Sequence, residues 1–147
     1  MLRHLVLATL ATTAAGAVGL GPVPPLPLLS SPAAPSSPGA LTVTISKSGH
    51  PNADGTYRLD CGGKPGGNHP AAHRACARLA TLAKEGQDPF KPVPKDAFCT
   101  QVYGGAVLAR VTGEWRGDTV DARFSRANGC EIDRWENLEP VLPRVRG

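Results

Sequence analysis

The segment AVLARVTGEWRGDTVDARF, residues 106–124, decides the fold. Ala106 to Thr112 is apolar and rich in β-branched residues, which predicts a strand. Gly113-Glu114 predicts a turn, and Glu114 to Phe124 predicts a returning strand with a bend at Gly117-Asp118. Trp115 and Phe124 are expected in the core. The segment therefore predicts two neighbouring antiparallel strands.

Two more strands are predicted on the amino-terminal side of this segment. Residues 41–45 and residues 56–60 alternate apolar and polar side chains, and a period of two indicates half-buried strands. Gly62 to Gly67 contains four glycines and one proline, which predicts an irregular loop. Asp88 to Asp96 contains three prolines and is expected to be irregular and exposed.

Two helices complete the predicted domain. Asn68 is expected to cap the first helix, with Pro70 in its first turn and Gly86 at its end. A short second helix is predicted after Cys130 and should end at Pro143, because four apolar residues recur at helical spacing. These residues are Ile132, Trp135, Leu138 and Leu142. The fold class is therefore α+β, with an antiparallel sheet and two helices.

The amino-terminal region predicts secretion. Residues 1–20 combine a short basic start with an uncharged apolar run, the layout of a signal peptide, although an uncleaved membrane anchor is the alternative. Residues 21–39 are rich in proline and serine, which predicts a disordered leader. We place the folded domain at residues 40–131 and a carboxyl-terminal helix or tail at 132–147.

Four cysteines in a short chain with a signal peptide predict two disulfides. Three pairings are possible, and we favour the most local, Cys61–Cys76 with Cys99–Cys130. A zinc site is disfavoured because the chain has no CxxC pair. His69, His73 and Cys76 could share one helix face and hold a metal, but that would compete with a disulfide, so no metal site is predicted.

Composition and motifs disfavour several classes of function. The net charge of +4 is mild and the basic residues are scattered among acidic ones, so nucleic acid is not an expected partner. The sequence contains no G-x-S-x-G, H-E-x-x-H or phosphate-loop motif. We therefore expect neither an enzyme nor a cofactor.

The pattern from Leu41 to Cys130 resembles the Streptomyces subtilisin inhibitor-like family of secreted serine protease inhibitors. The matching features are a Leu-Thr-Val strand at 41–43, Leu-Asp-Cys at 59–61, His-Pro-Ala-Ala at 69–72, the spacing of the four cysteines, Gly-Glu-Trp-Arg-Gly at 113–117 and Asn-Gly-Cys at 128–130. The resemblance covers about ninety residues.

The resemblance implies a fold and a mode of action. It implies an antiparallel sheet of five strands with two helices, the disulfides Cys61–Cys76 and Cys99–Cys130, and homodimers joined through the sheet. The expected partner is a subtilisin-like serine protease. The tail after Cys130 has helical spacing where the family ends in a strand, so the sheet is expected to have five strands, or four if that strand is lost.

The resemblance also implies a reactive bond, Gln101–Val102, two residues after the third cysteine. Gln101 would be P1 and Val102 P1′. The flanking positions would be P4 to P2 at Phe98, Cys99 and Thr100, and P2′ at Tyr103. Asn128 matches the family's loop-supporting asparagine. Gly104-Gly105 is expected to loosen the far side of this loop.

Two functions remain open on the sequence. One is inhibition of subtilisin-like proteases. The alternative is a secreted or membrane-tethered binding module that kept the fold without inhibitory activity. An inhibitor should survive its target largely uncut, whereas such a module should be degraded as a substrate.

Overall fold

The computed structural model describes Gly21 and residues 39–145. The predicted signal peptide and all but the ends of the predicted leader therefore lie outside the described residues. Within the part that is described, no helix is both long and apolar enough to cross a membrane.

One antiparallel sheet of five strands forms the centre of the fold, in the order β3-β2-β1-β4-β5. The strands are β1 (Ala40–Ser46), β2 (Gly55–Asp60), β3 (Gly66–Gly67), β4 (Leu108–Trp115) and β5 (Asp118–Phe124). Two helices follow β3 and β5, namely α1 (Ala72–Lys84) and α2 (Gly129–Asn137). The predicted α+β class, with five strands, two helices and two disulfides, is confirmed.

The core covers one face of the sheet. Leu41, Val43 and Ile45 of β1 are buried and alternate with polar residues, as the period of two predicts. Val43 pairs with Val111 of β4, so the inward rows of neighbouring strands coincide. Helix α1 adds Leu79 and Leu82 and the carboxyl-terminal region adds four more buried residues. These four are Trp135, Leu138, Val141 and Leu142.

The hairpin between β4 and β5 turns at Arg116-Gly117, so the turn predicted at Gly113-Glu114 is wrong. Both turn residues have positive φ, 55° and 85°, as the tight hairpin turn of type I′ requires. Gly113 lies inside β4 instead, and a side chain there would overlap the carbonyl oxygen of Ala40. A glycine at position 113 therefore allows β1 to lie close to β4.

Two local predictions before α1 are also wrong. The glycine-rich loop contains a short strand, since Gly66–Gly67 pairs with the end of β2. Helix α1 begins at Ala72 and not next to Asn68. The side chain of Asn68 accepts a hydrogen bond from the backbone N–H of Arg58 and so supports the sheet. Gly86 follows the helix with φ of 71°, as the predicted helix end requires.

Helix α2 is shorter than predicted. It begins after Asn128, whose side chain accepts a hydrogen bond from the N–H of Glu131, and it ends at Asn137 rather than at Pro143. The residues beyond it still reach the core, because Trp135 Nε1 donates to the carbonyl oxygen of Pro143 at 2.9 Å. The start of α2 lies beside the segment 98–104, since Cys130 is bonded to Cys99 and Gly129 N–H donates to the carbonyl oxygen of Thr100.

Candidate functional site

The loop at residues 98–103, called the 98–103 loop below, is a region of exposed apolar side chains. Among the described residues, four large apolar side chains stand out in solvent, and three belong to this loop: Phe98 (104% exposed), Val102 (56%) and Tyr103 (67%). Thr100 and Gln101 are exposed as well, and Cys99 is half-buried. Exposed apolar groups gathered in one place are typical of a surface that binds a partner.

The first support of the loop is on its amino-terminal side. Cys99 is joined to Cys130 in the first turn of α2, with 5.2 Å between the Cα atoms. The backbone N–H of Gly129 donates to the carbonyl oxygen of Thr100 at 2.9 Å. A covalent bond and a hydrogen bond thus attach adjacent loop residues to adjacent helix residues. Since Cys61 is bonded to Cys76, both predicted disulfides are confirmed.

The second support is on the carboxyl-terminal side. Gly104 N–H donates to the carbonyl oxygen of Arg126 at 2.8 Å, and Arg126 Nε donates to the carbonyl oxygen of Gly104 at 3.1 Å. The expectation that Gly104-Gly105 loosens this side is therefore wrong at Gly104. Residues 101–103 form the exposed span between the two supports.

Asn128 lies next to the first support. Its side-chain oxygen accepts from Glu131 N–H at 3.0 Å and so caps α2. This bond orients the helix turn that carries Gly129 and Cys130. Asn128 therefore supports the loop indirectly, by fixing the position of Gly129 and Cys130, which contact it.

Arg134 holds the proline-rich segment that leads into the loop. Its guanidinium donates to the carbonyl oxygens of Phe90, Lys91 and Arg123, at 3.2, 2.7 and 2.6 Å, and lies 4.0 Å from the ring centre of Phe124. Burial lowers the pKa of Arg134, although Glu131 acts in the opposite direction. The segment predicted to be exposed is thus fixed at its start, where Pro89 is buried.

Sequence reasoning missed Arg126, Arg134 and Gly129. The two arginines have the appearance of ordinary surface residues in the sequence, and their contacts reach elements far away along the chain. Gly129 was noticed only as part of the Asn-Gly-Cys motif. The motif marked the right position without indicating why a glycine is there.

The histidines do not form a metal site. His69 is buried, lies 2.9 Å from the carbonyl oxygen of Val141 through Nε2, and accepts from Ala71 N–H through Nδ1. His73 is exposed on α1, and Cys76 is in a disulfide. Within residues 39–145, no group of three or more His, Cys, Asp or Glu side chains is placed to hold a metal ion.

Comparison with known proteins decides the family. Residues 37–128 match the family model described as subtilisin inhibitor-like. The chain belongs to the subtilisin inhibitor-like family. Because this is a family of protease inhibitors, the expectation that the chain is not an enzyme is confirmed.

Several members of the subtilisin inhibitor-like family are similar in sequence. The chain is 33% identical over 97 residues to the subtilisin inhibitor of Streptomyces violaceus, covering 63% of this chain and 64% of that protein. It is 34% identical over 97 residues to the subtilisin inhibitor of Streptomyces albogriseolus, covering 64% and 65%. The chain spans just under two thirds of the length of these relatives.

One solved structure is also similar, that of Streptomyces caespitosus sermetstatin in complex with Bacillus licheniformis subtilisin. The identity is 22% and the TM-score 0.46, with 74% of this chain and all of that chain covered. A likeness at this level carries no argument about function. The family match itself ends at residue 128, immediately before α2.

If the chain inhibits subtilisin, as proposed below, Gly129→Ala should weaken that inhibition without unfolding the protein. Its methyl group would overlap Thr100 Oγ1, so the Thr100 side chain must rotate or the loop must shift from its first support. We expect the inhibition constant for subtilisin to rise about tenfold or more while the melting temperature changes little. Titration of subtilisin and thermal denaturation are the two measurements.

The matched control for this substitution is Gly63→Ala, since a side chain at Gly63 would meet open space. The control should inhibit like the unmodified protein. Equal inhibition by both variants would contradict a close fit between Thr100 and Gly129.

Proposed function

We propose that the chain is a secreted inhibitor of subtilisin-like serine proteases that presents Gln101–Val102 as its reactive bond. The observation that carries the proposal is the exposed span of residues 101–103 between two supports, one of them covalent. A segment that is already ordered loses little conformational entropy when it enters a protease cleft. Family membership supports a subtilisin-like protease as the target.

The chemistry at this bond would be that of a slow, reversible substrate. The protease serine attacks the carbonyl carbon of Gln101, and the bond to the nitrogen of Val102 breaks. The new amine of Val102 stays close because Gly104 is held, two residues further on. Resealing of the bond then competes with hydrolysis of the acyl-enzyme.

The side chains around the bond favour a subtilisin-like target. Gln101 is uncharged, so it lacks the cation that a trypsin-like pocket pairs with its aspartate. Phe98 is fully exposed and offers a large apolar side chain to a subsite four positions before the cleaved bond. Tyr103, also exposed, would contact the primed side.

Secretion and self-association belong to the same proposal. Two disulfides favour an oxidising compartment, which agrees with the predicted signal peptide. The sheet face opposite the core carries threonines and charged residues, including the ion pair between Arg110 and Asp121. A homodimer through this face is expected from the family, and sedimentation equilibrium of the mature protein would measure it.

Titration of subtilisin with the purified mature protein tests the proposal. We expect activity to fall in proportion to added protein and to stop near one inhibitor per protease. Mass spectrometry of the recovered protein should find most of it uncut. Rapid and complete cleavage between Gln101 and Val102, with protease activity retained, would instead identify a non-inhibitory binding module.

A further inference from the structure

Arg126 is a buried cation directly behind the 98–103 loop. It follows β5, and only 7% of its side chain is exposed. Its Nε donates to the carbonyl oxygen of Gly104, and its Nη2 lies 3.2 Å from Glu136 Oε1 of α2. Glu136 is about half exposed, so the cation is buried while its partner stays in solvent.

We propose that Arg126 is a positioning residue that holds the leaving side of the reactive bond in place after cleavage. The inference rests on the proposed inhibitory function. Gly104 and Arg126 exchange two hydrogen bonds, so the chain after Val102 is fixed by a reciprocal pair and not by a single contact. Glu136 orients the guanidinium from the other side.

The close fit at Gly104 supports this role. A side chain on Gly104 would lie 2.9 Å from Arg126 Nε and 3.0 Å from Ile132 Cδ1. Both distances are shorter than ordinary contacts, so the backbone of Gly104 lies directly against these two side chains. The leaving segment therefore has little room to drift once the bond is cut.

Packing alone does not account for an arginine at this position. Among the described residues, Arg126 Nη1 is the one buried side-chain nitrogen or oxygen without a hydrogen-bond partner. A buried unpaired donor and a buried cation are both unfavourable, and an apolar side chain of similar length would avoid both costs. What arginine offers here, and an apolar side chain does not, is the pair of N–H donors that bond to Gly104 and Glu136.

Resealing depends on the position of the amine. In the acyl-enzyme, Gln101 is an ester of the protease serine and Val102 has a free amine. Attack by that amine re-forms the peptide bond and releases the serine hydroxyl, whereas attack by water frees the Gln101 carboxyl. A held amine acts at an effective concentration of up to roughly 10⁵–10⁸ M. If Gly104 is held less firmly, attack by water on the acyl-enzyme should therefore gain over attack by the Val102 amine.

The experiment uses Arg126→Met, which keeps a long side chain without the donors, and Arg126→Lys, which keeps the charge. Protein cut at Gln101–Val102 is incubated with catalytic amounts of subtilisin, and the rate of return to intact protein is measured. Arg126→Met should reseal about tenfold more slowly and be hydrolysed correspondingly faster, with Arg126→Lys intermediate. Melting temperatures are recorded in parallel.

Two further variants make the result specific. Arg78→Met removes a partly buried arginine that also donates two hydrogen bonds, but to Asn137 at the far end of α2, and should reseal at the unmodified rate. Gly104→Ala leaves Arg126 in place, displaces the loop from it and should reseal slowly. This variant keeps the test decisive if Arg126→Met fails to fold.

The outcomes separate the inference from the proposed function. If the unmodified protein does not inhibit subtilisin, the proposed function fails, and this is seen before any variant is made. If the unmodified protein inhibits and folded Arg126→Met reseals at its rate, Arg126 only fills space and the positioning role is overturned, whatever Gly104→Ala does. If Arg126→Met does not fold, resealing of Gly104→Ala at the unmodified rate overturns the role.

Discussion

Gln101→Lys should turn the protein into an inhibitor of trypsin. If Gln101 is P1, its side chain enters the specificity pocket of the protease, and lysine supplies the cation that the aspartate in a trypsin-like pocket pairs with. Such a desolvated pair is worth on the order of several kcal/mol, so trypsin inhibition should rise by orders of magnitude. Inhibition constants against trypsin and subtilisin measure the change, and the constant for subtilisin should move much less.

The control for this exchange is Tyr103→Lys, which places the same charge two residues away on an exposed side chain. Thr100→Lys is a less clean control, because Thr100 Oγ1 lies where a side chain on Gly129 would be. If Gln101→Lys and Tyr103→Lys behave alike toward trypsin, Gln101–Val102 is not the reactive bond.

If the proposed function holds, replacing Cys99 and Cys130 together by alanine should turn the protein from an inhibitor into a substrate. The disulfide closes a sequence separation of 31 residues, and its loss frees the loop at its first support. In the loop-entropy model the unfolded chain gains roughly 3–4 kcal/mol of freedom. We expect fast cleavage at Gln101–Val102 and loss of lasting inhibition. Subtilisin assays and peptide mapping over time measure these two effects.

The other disulfide provides a control of the same kind. Cys61–Cys76 closes 15 residues and joins the end of β2 to α1, away from the loop. Replacing this pair by alanine should also lower the melting temperature, but the folded fraction should still inhibit. Unchanged inhibition and an intact loop in the Cys99/Cys130 variant would mean that the hydrogen bonds of Thr100 and Gly104 suffice.

Most of the sheet could be predicted because one face of it is buried. The alternation of Leu41, Val43 and Ile45 is a direct consequence of that burial. The hairpin turn could not be placed, because Gly113 and Gly117 are equally good turn candidates in the sequence. Only the neighbouring strand distinguishes them, since the carbonyl of Ala40 requires a glycine at 113.

The loop itself could be located from the resemblance, but its supports could not. Gly104 and Arg126 are 22 residues apart, and Lys91 and Arg134 are 43 apart. Long side chains that bond to distant backbone carbonyls leave no periodic pattern in a sequence. The role of Asn128 as a helix cap was missed for a different reason. Its contact with Glu131 is local, but the helix was predicted to begin after Cys130 and not at Gly129.

The position of both supports along the chain has a consequence for biosynthesis. Gly104 is held by Arg126, and the Cys99–Thr100 pair is held by Gly129 and Cys130, so every support lies more than twenty residues downstream of the loop. A nascent chain that has emerged only as far as residue 125 carries the whole 98–103 loop with neither support. We expect such a chain to be cleaved readily by proteases. It should become resistant only when Cys130 has been synthesised and has formed its disulfide with Cys99.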